Sequence, residues 1–171
     1  WKEYEILENG PLRFTVKLTY NPFVVGKDSV VETRIISLAK GSQLNKTVVT
    51  YAGLTKAMPV ATGLVIHPEN PEAYVLEGDK GYIAYADLTD NVNNGNGTIY
   101  VGAVMPGKVN EAKAQMFSDK EAKERGALGH VLAISSYKPE SQYTYYWGSG
   151  WSKYGFDSME EWTNYLDQYA Q

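Results

Sequence analysis

The side chains in this sequence that could do chemistry are two histidines, a dense run of tyrosine and tryptophan, and a few arginines and carboxylates. His67 closes an apolar run just before Pro68, and His130 lies beside Val131 and Leu132. Imidazole titrates near neutrality, so either can take up or give back a proton. A lone histidine on a strand is as readily a core or edge residue. Tyr82, Tyr85 and Asp87 share one segment, with Tyr85 and Asp87 on one side and Tyr82 on the other. A tyrosine beside a carboxylate can pass a proton or simply bridge two strands. Arg13 and Arg34 fall on strand faces, where a guanidinium either clamps a carboxylate through two parallel hydrogen bonds or faces solvent.

The densest cluster is Tyr143-Thr144-Tyr145-Tyr146-Trp147-Gly148-Ser149-Gly150-Trp151-Ser152-Lys153-Tyr154. Tyrosine and tryptophan join a flat apolar body to a polar tip. Sugars present apolar CH faces rimmed by hydroxyls, and such side chains match them. The two glycines predict a sharp bend that carries Trp151 and Lys153 into a loop. The equal alternative is an aromatic core cluster pinned by the C-terminal helix.

Other chemistries drop out. Cysteine is absent, which removes thiolate nucleophiles, disulfides and Cys-ligated metals. No GxSxG elbow, HExxH pair or phosphate-cradling G-x-x-x-x-G-K-[ST] loop is present. Asp87-Leu-Thr-Asp90-Asn-Val-Asn93 resembles the start of a calcium loop, but Thr98 stands where the closing Glu belongs. The segment reads as a solvated turn, and no metal or cofactor is expected. Asp79, Asp87, Asp90 and Glu69 keep a hydrolase acting through paired carboxylates open. A net charge of −4 opposes a nucleic-acid groove, and no run of about 18 apolar residues is present to insert into a membrane.

These groups must be held by strands. In Leu12–Tyr20, Leu, Phe, Val, Leu and Tyr alternate with Arg, Thr, Lys and Thr, the period of a half-buried strand. Similar runs follow at residues 29–38, 45–51, 60–67, 73–77, 81–87, 98–104, 128–137 and 142–147. Turn residues separate them, so the pattern predicts an all-β antiparallel sandwich. Residues 107–126 are charged and poor in large apolar groups, and read as a surface loop or short helix. Residues 157–171 predict a C-terminal α-helix, capped by Asp157 or Ser158. Met159, Trp162, Leu166 and Tyr169 form its apolar stripe, and Phe156 sits before the cap. The 171 residues suit one domain segment. The start on Trp1 is expected of a processed or truncated product.

Several phrases together resemble one family. They are E-N-G-P-L-R (8–13), I-S-L-A-K-G-S-Q-L-N-K (36–46), V-A-T-G-L-V-I-H (60–67), G-Y-I-A-Y-A-D (81–87), I-Y-V-G-A-V (99–104), G-H-V-L-A (129–133) and Y-Y-W-G-S-G-W-S-K (145–153). The chain resembles domain of unknown function family 4861, which occurs near bacterial polysaccharide-degrading enzymes. The resemblance implies a supersandwich of the galactose-mutarotase or lyase type. It also implies that the chain is the C-terminal part of a longer domain, whose N-terminal part would be a partner. A periplasmic or secreted setting is expected, with an oligosaccharide or polysaccharide as the other partner.

The activity implied is β-elimination at a uronic acid of pectin- or ulvan-like oligosaccharides. Such chemistry needs a carboxylate neutraliser, a base and an acid. Arg13, Arg34 or Lys153 could neutralise. His67 or His130 could be the base, and Tyr82, Tyr85 or Tyr146 the acid, with Trp147 and Trp151 as sugar floor. His130 with Lys153 and Tyr146 is the favoured set. His67 is kept as a catalytic candidate, and Tyr85 and Asp87 as substrate contacts. A non-catalytic carbohydrate-binding module and a structural half-domain are the competing classes.

Overall fold

The computed structural model describes residues 1–88 and 92–170. Its strands are β1 (Glu3–Asn9), β2 (Arg13–Thr19), β3 (Phe23–Val25), β4 (Asp28–Ala39), β5 (Leu44–Ala52) and β6 (Met58–Ile66). They continue with β7 (Tyr74–Glu77), β8 (Tyr82–Leu88), β9 (Thr98–Val104), β10 (Glu111–Met116), β11 (Gly129–Tyr137) and β12 (Tyr143–Trp151). Two helices join them, α1 (Asp119–Arg125) and the C-terminal α2 (Met159–Ala170). The fold is all-β and antiparallel, as a sandwich requires. The chain forms two compact units, Trp1–Val60 with Ser136–Trp147, and Ala61–Ser135 with Gly148–Gln171.

In the first unit the strand order is β1-β2-β4-β5-β12, with β3 added on β4. Leu18 pairs with Arg34, and Arg34 with Val49, so residues of even number on β2 and β4 share a face with odd residues of β5. Val30, Leu54, Val60 and Tyr137 make the core, and Tyr51, Tyr143, Met58 and Val25 pack against it. The Tyr137 hydroxyl accepts from the Tyr51 N–H at 3.1 Å and donates to the Ser141 carbonyl at 2.6 Å. The alternating run at residues 12–20 forms β2, but Leu12 and Phe14 remain exposed at its start.

In the second unit β12, β9, β8 and β7 lie in that order, and β10, β11 and β6 form a separate sheet. Every side chain from Tyr82 to Ala86 is buried, so β8 is covered on both faces. Ala84 pairs with Gly102, and a Cβ on Gly102 would meet Leu166 Cδ1 at 2.6 Å. The even-numbered face of β8 therefore receives α2. Trp162 and Leu166, both fully buried, fill that contact, and the Trp162 indole donates to the Val101 carbonyl at 3.1 Å. Ile83, Tyr85 and Asp87 point the other way by strand alternation. Ser158 caps α2 through the Glu161 N–H at 3.2 Å, and Phe156 stands edge-on to Trp162, closing the helix start.

Three expectations change. The segment 107–126 is not simply loop or short helix: it carries β10 as well as α1. Ala112 and Ala114 are too small to announce a strand by hydrophobic alternation, yet β10 completes its ladder on β11. α1 has a full capping box, Ser118 with Glu121, and ends at Gly126 with φ 64°. The glycines at 148–150 do not end the strand, because β12 runs through them to Trp151. Gly150 is required for a different reason, since a Cβ there would meet the Phe156 ring at 2.5 Å. Two strands went unread, β1 because its Glu-rich sequence looks solvated and β3 because it is three residues long.

Trp162→Ala removes the largest fully buried side chain and should cost about 3–5 kcal/mol of stability, read as a lower denaturant midpoint. A second expectation concerns alkaline pH. Burial, and then the Glu32 charge, push the Tyr51 phenol up to about 12. The folded chain therefore holds this proton more tightly than the unfolded chain does. Its contribution is complete below pH ~10 and is lost as pH rises through the folded value. Tyr51→Phe should make the alkaline limb of the stability–pH curve shallower.

Candidate functional site

The second unit brings one histidine and one carboxylate together. β6 ends at Ile66, and Pro68 disfavours a helical conformation at His67. The turn that follows is fastened to β8. The His67 N–H donates to the Tyr85 hydroxyl at 3.1 Å, and that hydroxyl lies 3.4 Å from the His67 carbonyl. The Asn70 amide donates to the Ala86 carbonyl at 2.8 Å. Two residues beyond Tyr85 on the same face, Asp87 meets the His67 ring. Nδ1 lies 3.0 and 2.9 Å from the two carboxylate oxygens.

This geometry assigns the roles. A carboxylate accepts, so Nδ1 carries the hydrogen and the neutral ring presents Nε2 as its basic nitrogen. Among the described residues no hydrogen bond engages Nε2. The His67 side chain is 38 % exposed and that of Asp87 25 %, so the pair sits at the surface of the sheet rather than within it. Tyr85 is fully buried. Burial raises its phenol above the ordinary value, and the hydroxyl is occupied by the His67 main chain. Tyr85 therefore positions the histidine and does not reach solvent.

Trp151 lies in the same unit. Its indole N–H donates to the Asn96 carbonyl at 2.7 Å, and the residue is 42 % exposed. The Ser152 N–H donates to the Thr98 carbonyl at 2.9 Å, and the Ser152 hydroxyl accepts from the Thr98 N–H at 2.8 Å. Gly97, at φ 82°, leaves room for the Lys153 stem, whose Cγ would lie 3.2 Å from a Cβ there. His130 lies on β11, the sheet neighbour of β6. It pairs with Gln115 on the side of β11 opposite the buried Val131 and Ala133, and its ring meets Phe117 edge-on at 5.0 Å. No described hydrogen bond or ion pair joins His130 to Lys153. The calcium-like stretch and Asp90 fall partly on residues 89–91, which lie outside the described residues.

In the first unit Arg34, Tyr145 and Trp147 come together. The Arg34 guanidinium pairs with the Glu32 carboxylate and lies 5.2 Å from the centre of the Tyr20 ring. The Trp147 indole donates to the buried Thr47 hydroxyl at 2.8 Å, and burial raises the Tyr145 phenol. Tyr146 takes the opposite face of β12 by alternation. Arg13 is paired with Glu8 at 2.6 Å on the open side of β2. Arg34 has its charge matched by Glu32, so its first role is within the sheet.

The family model described as "Domain of unknown function (DUF4861)" matches residues 1–171. No curated protein and no solved structure matches the chain. With the match running its whole length, the chain belongs to the DUF4861 family.

Proposed function

We propose that this chain catalyses β-elimination at a uronic acid residue of an oligosaccharide, with His67 as base and Asp87 as its positioning partner. The observation that carries the proposal is the hydrogen-bonded His67–Asp87 pair at a half-exposed surface. In the step, Nε2 takes the proton from C5 of the uronate. The C–H electrons form the C4=C5 double bond as the C4–O bond breaks. The departing oxygen takes the proton back from the imidazolium, so the base is regenerated. Asp87 stabilises the imidazolium between the two transfers, as a buried carboxylate does for a catalytic histidine. Lys153 is proposed to offset the substrate carboxylate, which raises the acidity of the C5 proton. Bacterial polysaccharide breakdown in a periplasmic or secreted setting belongs to the same proposal.

The exposed indoles of Trp147 and Trp151 favour a second reading, a binding module without turnover. One assay separates the two. Uronate-terminated oligosaccharides are incubated with the protein and followed by mass and by the ultraviolet absorbance of the conjugated double bond. Elimination gives an unsaturated product, hydrolysis gains a water, and a binder changes nothing. His67→Ala should lower the elimination rate about 10²–10⁴-fold, the usual worth of a positioned base. Asp87→Asn should also lower it, with the unfolding midpoint little changed. A wild-type rate in His67→Ala would discard the assignment.

A further inference from the structure

We propose that Trp151 is the floor of a sugar subsite on the same sheet face as the His67–Asp87 pair, across one intervening strand. This rests on the reading above for the class of sugar, but the geometry stands apart from the chemistry.

The argument is one of strand parity. Gly102 and Gly150 both lie on the helix side, where Cβ atoms would meet Leu166 and Phe156. Their neighbours in sequence must face the other way. On β12 that neighbour is Trp151, and on β9 the same face carries Ile99 and Val101. Asp87 pairs directly with Ile99. The Ser152–Thr98 hydrogen bonds set Trp151 at the Thr98 end of β9. Asp87, Ile99 and Trp151 thus stand on neighbouring strands, on one face and at one end of the sheet. Two strand spacings separate the outer pair, about 10 Å. An oligosaccharide spans that reach and a single sugar does not.

Exposure along this row fits the role. Ile83 and Tyr85, further into β8, are fully covered, Ile99 is half-buried, and Trp151 is open. The Trp151 indole is also oriented. Its N–H is held by Asn96, so the ring loses little freedom when a sugar stacks on it. Tyr154, bridged to Trp151 in the following turn and 78 % exposed, extends the apolar surface beside it. A core tryptophan such as Trp162 has no such exposure.

The test measures binding without turnover. In the His67→Ala background, a free hexuronic acid and a uronate-terminated tetrasaccharide fraction are titrated calorimetrically against the protein with Trp151 intact, Trp151→Ala and Trp151→Phe. Trp151→Ala should weaken the tetrasaccharide roughly tenfold or more, the effect of losing about 1.4 kcal/mol. It should leave the monosaccharide unchanged, and Trp151→Phe should retain much of the affinity. Equal loss for both ligands, or loss for neither, overturns the subsite, as does failure of the parent to bind the tetrasaccharide. Thermal unfolding of each variant separates lost contact from lost fold. Binding that depends on Trp151 in a protein that eliminates nothing would retain the subsite and reject the proposed reaction.

Discussion

The second unit depends on β8 having no wet side over most of its length. From Tyr82 to Ala86 both faces are covered, one by α2 and the other towards the turn at His67. A strand buried on both sides must be apolar throughout or satisfy each polar atom locally. Tyr85 does the latter by lending its hydroxyl to the His67 main chain. Asp87 is the first side chain along the strand at which this cover opens, and there a carboxylate becomes affordable because an imidazole meets it. The candidate site is thus the edge of a core rather than a pocket added to it.

The elements were legible in the sequence where side chains were large and alternated. β9 lies at residues 98–104 as expected, and α2 follows its cap and apolar stripe with Phe156 placed before them. Legibility failed where a strand buries little of its own side chains. β10 rests on alanines, and β1 on a strand partner that supplies its hydrogen bonds. The Gly148–Gly150 segment illustrates a related ambiguity. Glycine marks either a bend or a close approach, and here Phe156 occupies the space.

Site residues were recoverable singly and not as a pair. Strand parity places Tyr85 and Asp87 on one side of their segment. Nothing in the sequence joins them to His67, because the partner arrives through the order of sheets and a turn fixed by Asn70. The tyrosine excess also divides. Tyr51, Tyr85 and Tyr137 serve packing and main-chain hydrogen bonds, whereas Trp151 and Tyr154 remain open. Composition alone cannot make that division, since both uses exploit the same amphipathic ring.

The Tyr85 hydroxyl and the Asp87 carboxylate are successive groups on one side of one strand, and both hold the same histidine, the first by its main chain and the second by its ring. His67 is therefore registered against β8 at two points. The conformational entropy of fixing this imidazole in one orientation is met when the chain folds.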